Sequence, residues 1–222
     1  DRSMFISGKG GRFTNNYIES GVYYGVYLDA SDFYIFNMTS NDTYGKGIGG
    51  YTDGMQNNTY IIDSPIGFGA NYVENITLIR SPGSVSGKDI YVYGGNGGGF
   101  GGENIYIEDV IGDVSASGKN VTLENINGNL NLYASNEVLV RNSEGSINIP
   151  YQIGWYNLDS MNHTLIENNN FYTSCTIEGS LYDFIFRNND CNGTLSARLG
   201  DNILIEGNNL NSLSESRFGL VL

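Results

Sequence analysis

Glu108, Glu124, Glu167 and Glu206 each close an alternating apolar triplet, and in this 222-residue chain their type and spacing come nearest to catalytic chemistry. Two carboxylates held roughly 5–10 Å apart can act as the acid and the base or nucleophile of a glycoside hydrolase. Arg141 and Arg187, however, occupy the same place in the pattern. Opposite charges at equivalent places predict a ladder of neutralising pairs, with no carboxylate set apart as an acid. His163 is the only histidine. A Ser-His-Asp arrangement built on it has no supporting motif in Asn162-His163-Thr164, and an exposed polar role is expected. The run Gly94-Gly-Asn-Gly-Gly-Gly-Phe-Gly-Gly102 lacks the Gly-Lys-Ser/Thr ending of a phosphate loop and the aspartate of a calcium-binding nonapeptide, and it leads into a strand-forming segment. It reads as a tight or flexible corner, and Gly8-Lys-Gly-Gly11 is no more specific. No catalytic residue, cofactor or metal set is assigned, and weak calcium binding to surface acids is left without a location.

Modification chemistry is written more clearly. Asn-x-Thr occurs seven times, at Asn37, Asn41, Asn57, Asn75, Asn120, Asn162 and Asn192, and Asn-x-Ser never, although 21 serines stand against 11 threonines. Composition alone gives about one or two such triplets. The excess predicts heavy N-glycosylation and so passage through an export pathway. The competing reading is asparagine-rich corners standing beside strand threonines, which suits Asn75 and Asn120 best.

Composition narrows the class. A net charge of -13, from 24 acids and 11 bases, has the wrong sign for nucleic acid or an anionic membrane surface. It fits a self-repelling surface or a cation-rich extracellular setting. No apolar run approaches the ~20 residues of a membrane-spanning helix. The chain opens at Asp1 without a signal-like segment, which reads as a processed mature chain. The 31 glycines and 30 asparagines oppose helix, whereas 17 tyrosines and the β-branched residues favour strands. No apolar period of helical length appears, so the expected class is all-β.

One element recurs. Alternating triplets run through Tyr34-Ile-Phe36, Tyr60-Ile-Ile62, Ile76-Thr-Leu78, Ile90-Tyr-Val92, Ile105-Tyr-Ile107, Val121-Thr-Leu123, Val138-Leu-Val140, Thr164-Leu-Ile166, Phe184-Ile-Phe186 and Ile203-Leu-Ile205, at steps of 14–26 residues. Phe13, followed by Thr14-Asn-Asn16, marks an earlier, weaker copy. A second signal, Gly-x-apolar, keeps step at Gly83, Gly112, Gly128, Gly145 and Gly193. Each repeat therefore holds a strand, a polar corner, a glycine bend and a second strand. Stacked coils of this kind place equivalent strands about 4.8 Å apart. Asn and Gly tolerate the left-handed corners, and stacked asparagines form amide ladders.

The pattern of apolar-x-apolar, then Glu or Arg, then a corner asparagine, covers roughly residues 12–210. It resembles the right-handed parallel β-helix superfamily, the pectate-lyase-like fold. The resemblance implies a single-stranded right-handed parallel β-helix of about 10–11 coils. It would form one domain over 1–222, with an irregular N-terminal coil at 1–30 and an apolar tail at 213–222. The alternative is an antiparallel β-sandwich. The clustered aspartates and Gly-His-Gly of β-helix polygalacturonases have no counterpart here, nor do the calcium-binding acids and catalytic arginine of pectate lyases.

In such a coil Phe184 and Phe186 point inward and Ile185 outward. The expected outward column is Ile35, Ile61, Thr77, Tyr91, Tyr106, Thr122, Leu139, Leu165, Ile185 and Leu204, a candidate interaction stripe. Long loops, a partner, or a sugar stacked on Tyr91 and Tyr106 would each account for it. Cys191 falls in a column with Phe171 and Leu210, while Cys175 follows Phe171 by four residues. A disulfide needs Cα atoms within about 7 Å, so a bridge requires a sharp bend; buried free thiols are the alternative. No amphipathic capping helix precedes Phe13, and Phe218-Gly-Leu-Val-Leu222 is apolar, which suits head-to-tail stacking. The expected function is an extracellular, cell-surface structural glycoprotein that self-assembles into a sheath, layer or filament. It would be a homo-oligomer or polymer carrying covalent N-glycans, with no cofactor, no nucleic acid and no membrane span. The composition resembles archaeal envelope proteins such as methanogen sheaths. The alternative function is a carbohydrate-binding or polysaccharide-degrading β-helix.

Overall fold

The fold is set at its corners. In the computed structural model, which describes residues 5–18, 26–40, 48–50, 58–65, 68–150, 161–199 and 201–215, those residues form strands and turns and no helix. Asn15, Asn37, Asp63, Arg80, Asp109, Asn125, Asn142, Asn168 and Asn188 hold φ between 46° and 57°. Asn and Asp enter this left-handed region most readily because their side chains bond locally. Each of these corners hands its N–H to the coil that follows: Asn15 to the Phe36 carbonyl at 3.0 Å, Asn37 to Ile62 at 3.0 Å, Asn188 to Glu206 at 3.0 Å. Side chains stack likewise, Asn37 donating to Asn15 at 2.8 Å and Asn125 to Asp109 at 3.0 Å.

The chain divides into two compact units, Asp1–Asn104 and Ile105–Leu222. The first holds β1 (Phe5–Thr14), β2 (Tyr17–Ile18), β3 (Val26–Phe36), β4 (Thr39–Ser40), β5 (Ile48–Gly50), β6 (Thr59–Ile62), β7 (Phe68–Ile79) and β8 (Gly83–Tyr93). The boundary falls within β9 (Asn96–Glu108). The second holds β10 (Ile111–Glu124), β11 (Asn127–Arg141), β12 (Glu144–Ile149), β13 (Met161–Glu167), β14 (Asn170–Phe171), β15 (Cys175–Arg187), β16 (Asp190–Leu199), β17 (Ile203–Glu206) and β18 (Asn209–Glu215). Each unit is right-handed-type parallel β-solenoid. Residues 1–30, expected to be irregular, already contain β1, which pairs in parallel with β3 from Phe5 to Thr14. Of the expected tail, 213–215 lie in β18 and 216–222 lie outside the described residues.

Register sets the core. In the first unit Phe13, Ile35, Ile61, Leu78 and Val92 align on successive coils. In the second, Leu123, Val140, Ile166, Phe186 and Ile205 align, as do Val121, Val138, Thr164, Phe184 and Ile203. The facing wall is Val114, Leu130, Ile147, Cys175, Leu195 and Leu213. The Gly-x-apolar signal has a steric cause here: a Cβ on Gly145 would run into the Gly128 carbonyl oxygen, and one on Gly128 into that of Gly112.

Polar residues buried beside the corners form inner ladders. Ser143 gives its N–H to Asn169 Oδ1 at 2.9 Å, Asn169 gives Nδ2 to Asn189 Oδ1 at 2.9 Å, and Asn189 gives Nδ2 to Asn208 Oδ1 at 3.1 Å. Ser64 and Ser81 form a shorter run in the first unit, Ser64 N–H reaching Ser81 Oγ at 3.0 Å. Thr59 and Thr164 are also buried, yet their hydroxyls have no partner. Such an orphan costs about 1–3 kcal/mol. Cys175 and Cys191 form a disulfide, with Cα atoms 6.2 Å apart. The bend that permits it runs through Tyr172-Thr173-Ser174, where Thr173 Oγ1 donates to the Gly145 carbonyl at 3.0 Å.

Candidate functional site

The outer face of the triplet strands is the candidate site, and the register changes its membership. Ile35 and Ile61, expected in the outward stripe, are buried at 1% and 0% exposure. They align with Leu78 and Val92, while Tyr34 and Tyr60 align with Thr77 and Tyr91. Side chains alternate with a period of two, so a slip of one residue exchanges inside for outside. The outward column of the first unit is therefore Arg12, Tyr34, Tyr60, Thr77 and Tyr91. Phe36, Ile62, Ile79 and Tyr93 form a second column beside it. Tyr60 is 43% exposed, and the Arg12 guanidinium lies 4.9 Å from the centre of the Tyr34 ring.

In the second unit the register keeps the expected outward residues in line. Thr122, Leu139, Leu165, Ile185 and Leu204 share one column on successive coils, all half-buried except Leu204, which is 41% exposed. Tyr106, on β9, donates its hydroxyl to Glu108 at 2.9 Å. The adjoining column is Glu124, Arg141, Glu167, Arg187 and Glu206. Arg141 meets Glu124 at 2.7 Å and Arg187 meets Glu167 at 2.6 Å. Glu124 and Glu167 are thus neutralised by the next coil, as the alternation of charge implies. The hydrogen bond that Arg141 donates to Glu124 raises the guanidinium further above its ordinary value.

Other sequence candidates are scattered. His163 sits in the left-handed region at a corner, its side chain 66% exposed and 3.3 Å from Asp183. Gly94 and Gly95, with φ of 65° and 91°, form a corner that opens into β9. Asn37 and Asn192 are exposed; Asn75 donates to Asn58 at 3.1 Å, Asn120 accepts from Asn136 at 3.0 Å, and Asn162 is half-buried. Asn41 and Asn57 lie outside the described residues. Among the described residues no three His, Cys, Asp or Glu side chains are grouped to hold a metal ion, and no helix is long and apolar enough to cross a membrane. No protein-family model, curated protein or solved structure matches the chain.

One ion pair gives a direct test of the stacking. Arg80 donates to Asp63 on the previous coil at 2.7 Å. That hydrogen bond holds the Asp63 carboxyl below its ordinary value; desolvation opposes the shift, and the charge of Arg80 adds to it by less. A depressed carboxyl contributes stability above its unfolded-state value and loses it as pH falls through the folded one. NMR titration should therefore place the Asp63 midpoint below that of ordinary aspartates, and Arg80→Gln should return it to the ordinary range. A midpoint unmoved by Arg80→Gln would show that the two coils are not in this register.

Proposed function

We propose that this chain is an extracellular, cell-surface structural glycoprotein that assembles with copies of itself. The contact is lateral, through the Leu139–Leu165–Ile185–Leu204 column, or end to end, by continuation of the backbone ladder. The column carries the reading: four aliphatic side chains stand on consecutive coils of an outer face. A sheet face left to water places polar residues outward, whereas a contiguous apolar strip suits burial by a partner. Four of the charges flanking the strip are already paired, Glu124 with Arg141 and Glu167 with Arg187, so a second copy can cover that stretch without stranding those ions. The disulfide suits an oxidising compartment, and the seven Asn-x-Thr triplets suit export. On this reading the role is mechanical, in a sheath, layer or filament of the archaeal envelope type, without catalysis or cofactor.

The tyrosine column favours a second reading, carbohydrate binding. Tyr60 and Tyr91 are exposed two coils apart, roughly 9.6 Å at ordinary strand spacing, close to a disaccharide repeat of an extended polysaccharide. Electron microscopy and sedimentation velocity of the purified protein separate the two. Sheets or filaments are expected, and Leu165→Glu with Ile185→Glu should disperse them while the chain stays folded, with a modestly lower melting temperature. Polymers that persist in this double variant locate the contact at the ends. A wild-type chain that stays monomeric at high concentration refutes assembly. NMR shifts at Tyr60 and Tyr91 on addition of a neutral polysaccharide would then support the second reading.

A further inference from the structure

Seven polar residues are buried among the described residues: Thr59, Ser64, Ser81, Ser143, Thr164, Asn169 and Asn189. The serines and asparagines are bonded into the inner ladders. The two threonines are not. Thr164 shares its column with Val121, Val138, Phe184 and Ile203, and Thr59 is aligned with Ile76 and Ile90. Valine has the same shape and would fill either place without a hydroxyl to strand, so the fold gives no reason for threonine. Both threonines are the third residue of an Asn-x-Thr triplet, begun by Asn57 and by Asn162. Thr77 and Thr122, which end other triplets, stand in the outward columns, where β propensity already accounts for them.

We infer that Asn162 carries an N-linked glycan attached before its coil closes, and that the Thr164 hydroxyl is kept for the transferring enzyme and not for the fold. An enzyme that reads Asn-x-Thr must reach the threonine hydroxyl, and Thr164 is 1% exposed once folded. In the transfer, Asn162 Nδ2 bonds to the anomeric carbon of a lipid-linked oligosaccharide. The bond from that carbon to the lipid diphosphate breaks, and the proton lost by Nδ2 neutralises the departing phosphate oxygen. No oxidation is involved, and one N–H remains on Nδ2. In the folded coil the attachment point borders the surface: Asn162 is half-buried, and its register partner Tyr182 is 39% exposed. The inference rests on the export part of the proposed function and not on assembly, since a chain modified at Asn162 that stays monomeric leaves it intact.

The test uses the full chain secreted from a host whose export pathway glycosylates Asn-x-Thr, with mass spectrometry of the Asn162 peptide. Near-complete occupancy is expected, and an unmodified Asn162 overturns the inference. Thr164→Val should abolish occupancy at Asn162 and raise the melting temperature of the unglycosylated chain by about 2–4 °C. A fall in melting temperature, or failure of the variant to fold, would show that the hydroxyl serves the fold and overturn the assignment. Thr59→Val should raise the melting temperature likewise, and a fall there counts equally against it. Finally, unglycosylated chain offered to solubilised oligosaccharyltransferase with a lipid-linked oligosaccharide should be modified at Asn162 only when unfolded. Modification of the folded chain overturns the order of events.

Discussion

Asn189→Asp is expected to destabilise the second unit by about 3–5 kcal/mol at neutral pH, although it changes a single group. Asn189 is 2% exposed and uses both ends of its amide. Its Oδ1 accepts from the Asn169 backbone N–H at 3.1 Å and from Asn169 Nδ2 at 2.9 Å. Its Nδ2 donates to the Ile166 carbonyl at 3.0 Å and to Asn208 Oδ1 at 3.1 Å. Aspartate preserves the accepting side and turns the donating side into a second oxygen aimed at two oxygens. Repulsion and burial both disfavour the charged form, so the folded-state value of the new carboxyl lies above its unfolded one. Stability of the variant is then greatest at low pH, where a protonated acid donates one hydrogen bond, and declines as pH rises through the folded-state value. Urea denaturation at pH 4 and pH 7 should show a gap between variant and wild type that narrows in acid. Asn189→Leu, uncharged, should cost about 2–3 kcal/mol through its stranded partners, with no such pH dependence. A pH-independent loss for Asn189→Asp would mean that the amide does not lie between Ile166 and Asn208.

The ladder also shows where the sequence was legible. In Glu167-Asn168-Asn169-Asn170 three like residues have three roles: Asn168 takes the left-handed corner, Asn169 turns inward, and Asn170 starts β14 on the outside. Composition announces the corner, but only the next coil tells which amide has a partner at stacking distance. The same dependence on the corner explains the misplaced residues. Tyr34-Ile-Phe36 and Tyr60-Ile-Ile62 are apolar at every position, so hydrophobicity leaves their phase open. The corner does not: the last inward residue stands two places before the left-handed one, as Phe186 does before Asn188, Ile35 before Asn37 and Ile61 before Asp63. Counting back from Asn37 and Asp63 puts Tyr34 and Tyr60 outside. The charge row was legible because Glu and Arg at alternate coils neutralise one another without any side-chain detail. The disulfide was not, because the bend at Tyr172-Thr173-Ser174 depends on a hydrogen bond to Gly145 that spans 28 residues.

Phe184→Ala is expected to cost about 3–5 kcal/mol, and Ile185→Ala, its immediate neighbour, less than about 1 kcal/mol. Phe184 is fully buried, aligned with Thr164 below and Ile203 above, with the Phe186 ring centre 6.2 Å away. Truncation removes a large transfer term and opens a cavity that the walls cannot close. The backbone on either side is pinned into the coil ladder, Phe184 N–H to the Asn202 carbonyl at 3.1 Å, and one neighbour is a threonine whose hydroxyl already lacks a partner. Ile185, pointing the other way, loses only half-buried surface. Denaturant unfolding at concentrations too low for association measures both. The contrast is the useful quantity, because both residues belong to one strand with the same backbone pairing and differ only in the face they present. Equal losses would place Ile185 inside, dissolve the Leu139–Leu165–Ile185–Leu204 strip as a surface, and remove the reason for expecting copies of this chain to pack together along it.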